Sequence, residues 1–314
     1  MAAGRAYAVD LLKLAMALLV VGIHANPFAD LGRTAILLTG EGFYRLAVPV
    51  FLVFNGYFLH AAIVSGRSWR VVRHVLALYL IWMALYLPVY WKLLMGLEPW
   101  RQGLLLALGY WHLWYLMGLA IAAALLVALR QISDRALFAL AGLTWAIGAA
   151  IPYLRALDLI SIPDVFADPL SPNRNALFLC LPYAALGLLM ARQDWPAKVS
   201  NRAAGVAALV GIAAVVTESL LLARLPQSVS HDTLASLALA APALALWALT
   251  APGAAQTRLT ADLANGLYFL HVGFVALLFR HTDLSNPVVW LLAVAGSVVV
   301  TLVLRRTGLA RHLL

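Results

Sequence analysis

Long apolar stretches separated by short polar segments fill almost the whole sequence. A membrane-spanning helix needs about 20 mostly apolar residues, and ten segments of the chain have approximately that length and character. These segments are Ala6–Asn26, Tyr44–Val64, Val71–Leu94, Gly103–Leu129, Ala136–Leu154, Asn175–Ala191, Ala203–Ala223, Thr233–Thr250, Ala261–Phe279 and Pro287–Arg305. The sixth and ninth are short, so a re-entrant segment is an alternative at both places. The pattern predicts an all-α integral membrane protein with about ten transmembrane helices. We expect one transmembrane domain over residues 1–314 and no soluble domain.

Composition agrees with this prediction, since 64% of the residues are apolar and only 11% are charged. Soluble proteins are about half apolar and about 25% charged, so the surrounding solvent must be lipid. The first apolar stretch could be a signal peptide, but Asp10 and Lys13 interrupt it, and we interpret it as a retained helix. Cys180 is the sole cysteine, which excludes an intramolecular disulfide and a cysteine-based metal site.

The basic residues predict how the chain is oriented. The formal net charge is +9, but the basic residues are dispersed between apolar runs, which argues against nucleic-acid binding. With an inner N-terminus, 13 basic residues fall on the inner side and 8 on the outer side. Because cytoplasmic loops are enriched in Lys and Arg, both termini are expected in the cytoplasm. The longest polar stretch, Arg155–Arg174, would then be an outer loop, either a plain connection or part of an acceptor entrance.

Three ionisable residues interrupt the first apolar segment: Asp10, Lys13 and His24. Such residues are costly inside a membrane and normally face the interior of the helix bundle. Eleven residues separate Lys13 from His24, about three helical turns and about 16 Å of rise, so the three share one face. A lone His is commonly a hydrogen-bonded core residue, but this polar stripe favours a catalytic His24, since imidazole titrates near neutral pH.

Arginines after the first helix give two candidate anion sites. Glu41 and Arg45 are four residues apart and can form a surface ion pair, or Arg45 can instead hold an anion or an oxyanion. Arg70 and Arg73 are three residues apart in a short inner segment. They are either a positive-inside signal or a clamp for phosphate.

Further polar residues are candidate pocket residues, although each is a weak signal alone. His112, Trp114 and Tyr115 form an aromatic-rich segment that is either an interfacial belt or a pocket lining. The others are Asn55 in the second segment, Glu218 in the seventh, and Tyr268 and His271 in the ninth. No metal-ligand spacing is present in the sequence.

Taken in order, these motifs resemble acyltransferase family 3, the bacterial integral membrane O-acyltransferases of surface polysaccharides. The family pattern begins with an Asp, a basic residue and a His, here Asp10, Lys13 and His24. It continues with Arg45, Val48–Phe51, Asn55–Tyr57, the pair Arg70 and Arg73, His112–Leu116, and Tyr268 with His271. Lys13 stands where many members have Arg, and Asn55 stands where many have Ser.

The resemblance implies an O-acyltransferase of the bacterial inner membrane, with O-acetyl transfer as the expected reaction. Its donor would be cytoplasmic acetyl-CoA or another acyl-CoA, bound by Arg70, Arg73 and Arg45, and no metal is expected. Its acceptor would be a hydroxyl of a sugar, glycan or lipid-linked sugar at the periplasmic face, with His24, Lys13 and Asp10 as catalytic residues. The partners are thus donor, acceptor and membrane lipids, and an oligomer is compatible with them. The alternative is a multi-span transporter of a small solute or glycan precursor, which should show related halves.

Overall fold

The computed structural model describes residues 7–162, 171–226, 231–253 and 257–314. Within these ranges the chain is helical and contains no strand. The helices are α1 Tyr7–Ala25, α2 Arg33–Leu38, α3 Ala47–Val64, α4 Ser68–Gly96, α5 Pro99–Leu108, α6 Trp114–Ala128, α7 Asp134–Ala156, α8 Leu181–Arg192, α9 Trp195–Lys198, α10 Asn201–Leu222, α11 Leu237–Thr250, α12 Leu259–His281, α13 Asn286–Arg306 and α14 Ala310–Leu313.

The predicted fold class is confirmed. Among the described residues, eight helical stretches are long and apolar enough to cross a membrane, and two shorter apolar helices accompany them. The shorter ones are Ala176–Arg192 and Leu237–Thr250. Many large apolar side chains of the long helices are exposed on the protein surface, such as Leu209 at 69%. An exposed Leu in a spanning helix contacts lipid, so the chain is a multi-span membrane protein.

The fourth predicted segment, Gly103–Leu129, is wrong as one continuous helix. It divides into α5 and α6, with a single 3₁₀ turn between them at Trp111–Leu113. Gly109 has φ +104° and Trp111 has φ +48°, which are left-handed values that end a right-handed helix. A Cβ atom on Gly109 would also lie 2.7 Å from the amide nitrogen of Trp114, so only glycine fits there.

Two other segments differ from their predicted form. The eighth begins at Leu237 instead of Thr233. Thr233 lies in the turn before this helix, and its hydroxyl donates to the carbonyl of Gly148 on α7. The ninth is a continuous helix of 23 residues, Leu259–His281, which is long enough to span the bilayer and removes the re-entrant alternative there. Residues 163–170 of the predicted outer loop lie outside the described residues.

The described residues pack as two compact units, and the boundaries between them fall within α3, α9, α10 and α11. The first unit ends at Phe51 and resumes over Pro196–Leu220 and Leu239–Leu314. In it, α1 packs along α12, and α12 packs along α13. Small and branched apolar residues form the shared core: Ala17, Val21, Ala25, Ala264, Leu267, Val275, Val289 and Ala293. The alanines let the helix axes approach closely, as is usual between membrane helices.

The second unit comprises Leu52–Trp195 and Leu221–Ala238. There α6 packs on α4 and α8, and α7 packs on α8. Glycines set the closest approach between α3 and α8, because a Cβ on Gly56 would overlap the carbonyl of Ala184 and one on Gly187 would overlap the carbonyl of Val53. These reciprocal contacts leave no room for a side chain at either glycine.

Candidate functional site

The imidazole rings of His24 and His271 are in contact within the first unit. Their ring centroids are 5.1 Å apart and the ring planes are inclined by 38°. His24 lies in the last turn of α1 and is partly buried, whereas His271 on α12 is completely buried. The apolar packing of α1 against α12 brings the two imidazoles together.

The tautomer of the neutral His271 ring is set by its own helix. Its Nδ1 atom lies 2.7 Å from the carbonyl oxygen of Leu267. A carbonyl can only accept, so Nδ1 carries the proton and donates it. In the neutral ring the lone pair is therefore on Nε2, which makes His271 a hydrogen-bond acceptor at that atom.

The polar stripe predicted for the first helix lies on one continuous helix, α1. Asp10 is 1% exposed, and Lys13 is partly buried one turn further along. A rise of about 1.5 Å per residue places Asp10 about 21 Å from the level of His24. Asp10 and Lys13 therefore belong to the opposite end of α1 from the histidine pair.

Arg45 pairs with Glu41 at 3.0 Å, and the Arg45 side chain is only 13% exposed. The 3₁₀ segment that carries it, Phe43–Leu46, packs against α1. A Cβ on Gly22 would lie 2.6 Å from a ring carbon of Tyr44, so this contact is close. Arg45 is thus held on a segment that meets α1 two residues before His24.

The end of α1 beyond His24 is also anchored. Asn26 takes a left-handed φ of +45°, which Asn tolerates better than most residues. Its carbonyl accepts a hydrogen bond of 3.1 Å from the side chain of Asn286, the first residue of α13. This bond fixes the chain just after His24.

Arg70 and Arg73 lie in the first turns of α4 in the second unit, and both side chains are exposed. Exposed guanidinium groups one turn apart are able to bind the same phosphate-bearing ligand.

Glu218 is partly buried on α10 of the first unit, and the hydroxyl of its neighbour Ser219 donates to the carbonyl of Leu37.

Several predicted pocket residues meet each other in the second unit. The side-chain amide of Asn55 donates to the hydroxyl of Tyr115 at 2.9 Å. His112 is 3% exposed and makes an edge contact with Tyr86 at 5.4 Å between ring centroids. Trp114 lies beneath the guanidinium of Arg174, whose Cζ is 5.4 Å from the ring centroid.

The candidates therefore divide between the two units. The first unit holds Asp10, Lys13, His24, Arg45, Glu218, Tyr268 and His271, and the second holds Asn55, Arg70, Arg73, His112, Trp114 and Tyr115. Tyr268 is partly buried one turn before His271 and contacts Phe269 at 5.0 Å between ring centroids.

Sequence reasoning placed Arg174 at the end of the predicted outer loop Arg155–Arg174 but did not predict the polar cluster around it. The amide of Asn173 donates to the hydroxyl of Thr233 at 2.8 Å, and Arg174 lies 3.8 Å from Asp232. The adjacent Pro172, Asn173 and Asn175 are turn-forming residues, and this was the available signal.

The described residues contain no group of three or more His, Cys, Asp or Glu side chains that could hold a metal ion. The fold and the site define a helical, multi-span membrane protein with a histidine pair at one end of α1 and two further ionisable residues, Asp10 and Lys13, towards the other end. A family model described as an acyltransferase domain matches residues 6–306. The chain belongs to this acyltransferase family, as the resemblance to acyltransferase family 3 implied.

Two curated relatives are more distant. A serine/alanine racemase of Enterococcus gallinarum is 24% identical over 62% of this chain and 30% of its own length. An amino-acid racemase of Enterococcus faecalis is 30% identical over 35% of this chain and 18% of its own length. The chain thus spans less than a third of either relative, so their racemase names describe those proteins alone. No solved structure matches the chain.

Proposed function

We propose that the protein transfers an acyl group, with acetyl as the leading candidate, from cytoplasmic acyl-CoA to a hydroxyl group of a sugar or glycan at the periplasmic face. The observation that carries this proposal is the contact of His24 with His271, 5.1 Å between ring centroids, in a chain that matches an acyltransferase family over residues 6–306.

His24 is the general base of the proposed reaction. An acceptor hydroxyl is a poor nucleophile until its proton is removed, and a positioned His contributes about 10²–10⁴-fold by removing it. The acceptor oxygen bonds to the acyl carbon while the bond from that carbon to the CoA sulfur breaks. The proton taken by His24 ends on the departing thiolate, so the products are an ester and CoA.

His271 is a positioning residue for His24. Because its Nδ1 proton is donated to Leu267 at 2.7 Å, its Nε2 lone pair favours a neighbouring imidazole that carries a proton. Such a partner supports His24 as it becomes an imidazolium in the transition state. Its complete burial fixes the ring, so little reorganisation accompanies this change.

Arg45 stabilises the developing oxyanion in this proposal. Its segment meets α1 two residues before His24, and its pairing with Glu41 at 3.0 Å holds the guanidinium in place. A fixed donor near the reacting atoms is worth about 10²–10³ in kcat in other enzymes. This location favours an oxyanion role over the donor-binding role first assigned to Arg45.

Arg70 and Arg73 bind the phosphates of the CoA donor. Both guanidinium groups are exposed on the first turns of α4, and in the proposed topology this end of α4 is cytoplasmic. Arginine binds phosphate through two parallel hydrogen bonds, which makes the pair a suitable clamp.

Asp10 and Lys13 support the end of α1 that is remote from His24, where a carboxylate and an ammonium satisfy each other in a low dielectric.

The experiment that tests this function compares cells with and without the gene. Mass spectrometry of their surface glycans should show an acyl modification only when the gene is present. Glycans of identical mass in both strains, together with normal protein expression, would refute acyl transfer to a surface glycan.

A further inference from the structure

A cavity of about 300 Å³ opens in the second unit, between the start of α6 and the segment that precedes α8. Most of its wall is apolar and is formed by Trp114, Met117, Ile121, Leu177 and Phe178. Ser171, Arg174 and Asn175 line it as well. Its volume is at the lower end of the range of about 300–1,000 Å³ for small-molecule sites.

Arg174 gives this apolar cavity a cationic group. Its guanidinium lies over the face of Trp114 at 5.4 Å from the ring centroid, and its Nη1 lies 3.8 Å from a carboxylate oxygen of Asp232. A guanidinium has five donors in a fork, so an arginine that forms an ion pair can also bind a phosphate.

The two neighbours of Arg174 anchor its backbone through hydrogen bonds of their side chains. Asn173 is 4% exposed and donates to Thr233, whose hydroxyl donates in turn to the carbonyl of Gly148 at 2.9 Å. The side-chain oxygen of Asn175 accepts from the amides of Leu177 and Phe178 at 2.9 and 3.0 Å. Arg174 is thus held between two anchored residues.

The lining of the cavity combines residue types that are common at the level of lipid headgroups with apolar residues that suit an acyl chain. Trp114 begins α6 and Arg174 precedes the apolar stretch Ala176–Arg192, and both residue types are common at the level of lipid headgroups. Ile121 lies seven residues along α6, about 10 Å deeper. Ile121 and Leu177 are 37% and 46% exposed, so the cavity is open to the bilayer.

We propose that this cavity binds an anionic phospholipid of the surrounding bilayer, with its phosphate on Arg174 and one acyl chain along Trp114, Met117 and Ile121. The guanidinium donors at the mouth suit a phosphate, and the apolar wall suits a hydrocarbon chain. A bound lipid would stabilise the segment from Ser171 to Phe178. This proposal does not depend on the proposed acyl transfer.

Native mass spectrometry of the detergent-solubilised full chain tests it, with phosphatidate and diacylglycerol of identical chains as probes. Phosphatidate should bind at least about tenfold more tightly, since a charge-assisted contact is worth about one order of magnitude or more. Arg174→Gln should remove that preference, and Arg174→Lys should restore part of it. Arg101→Gln is the matched control, because Arg101 lies over Trp100 at 5.1 Å but does not line the cavity.

A second variant tests the acyl-chain part independently of Arg174. Ile121→Trp fills the cavity from its deeper end and should weaken binding of both probes while thermal unfolding stays unchanged. Equal affinities of the two probes, or unchanged phosphatidate binding in both Arg174→Gln and Ile121→Trp, would overturn the proposal. Binding of a polyprenyl phosphate without binding of phosphatidate would overturn the assignment to a bilayer phospholipid.

Discussion

The imidazole rings of His24 and His271 are in contact, with their centroids 5.1 Å apart and their planes inclined by 38°. The two residues come from α1 and α12, helices at opposite ends of the chain that share one apolar core. The backbone bond from His271 to Leu267 fixes which nitrogen of the neutral ring accepts. The pair therefore joins the proposed base on α1 to a buried ring whose accepting nitrogen is fixed.

The first prediction concerns His271. His271→Ala should lower kcat about tenfold or more while the KM for acyl-CoA stays near that of the unaltered protein, because the loss falls on the transition state. His271→Gln should recover part of the rate, since its amide can also donate to the Leu267 carbonyl. Steady-state kinetics on purified protein measure both.

His281→Ala is the matched control for His271, because His281 is an exposed residue at the end of the same helix. It should leave kcat unchanged. The positioning role is contradicted if His271→Ala keeps the full rate, or if only KM for the donor changes.

The second prediction concerns the donor. Arg70→Ala combined with Arg73→Ala should weaken CoA binding by about tenfold or more, because charge-assisted contacts to phosphate are lost. The double Lys variant should recover only part of the affinity, since the fork geometry is lost. Calorimetric titration of CoA into detergent-solubilised protein measures this.

Arg67→Ala is the control for those variants, because Arg67 is an exposed residue of the same segment whose Nε donates to the hydroxyl of Ser65. CoA affinity should be retained in this variant. Equal affinity in the double Ala variant and the unaltered protein would show that the donor binds elsewhere.

A third prediction concerns helix packing. Gly187→Leu should destabilise the protein by about 1–3 kcal/mol or more, because any Cβ there overlaps the Val53 backbone. Gly142→Leu should be nearly neutral, since a Cβ on Gly142 of α7 meets nothing within 4 Å. Thermal unfolding in detergent compares the two. Equal melting temperatures would show that α3 and α8 separate at little cost.

A fourth prediction concerns topology. We propose that both termini are cytoplasmic, on the basis of 13 inner and 8 outer basic residues. Reporter fusions after Arg311 and after Asp158, just beyond α7, should report opposite compartments. The same compartment at both points would disprove this orientation.

Hydropathy predicted the helices well because each apolar helix partitions into lipid largely on its own. It missed the break at Gly109, because a left-handed φ is a local backbone feature that leaves hydropathy unchanged. It also placed the start of α11 four residues too early, at Thr233, whose hydroxyl is hydrogen-bonded to the carbonyl of Gly148.

Sequence reasoning selected His24, His271, Asn55 and Tyr115 as candidates but assigned none of them a partner. The contact of His24 with His271 and the bond from Asn55 to Tyr115 each join separate helices. Such pairs depend on how the helices pack, which periodicity along a single helix does not encode. Arg174 was overlooked because a single basic residue between apolar runs is typical of any membrane protein.

The proposed base is tested most directly by His24→Ala. Mass spectrometry of surface glycans and purified-protein kinetics should show acyl transfer reduced by about 10²–10⁴-fold, with expression and CoA affinity retained. Retained CoA affinity would show that the variant is folded, so that its lost activity reflects the missing base. Acylation near the level of the unaltered protein would contradict the assignment of His24 as the base and would make His271 the next residue to test.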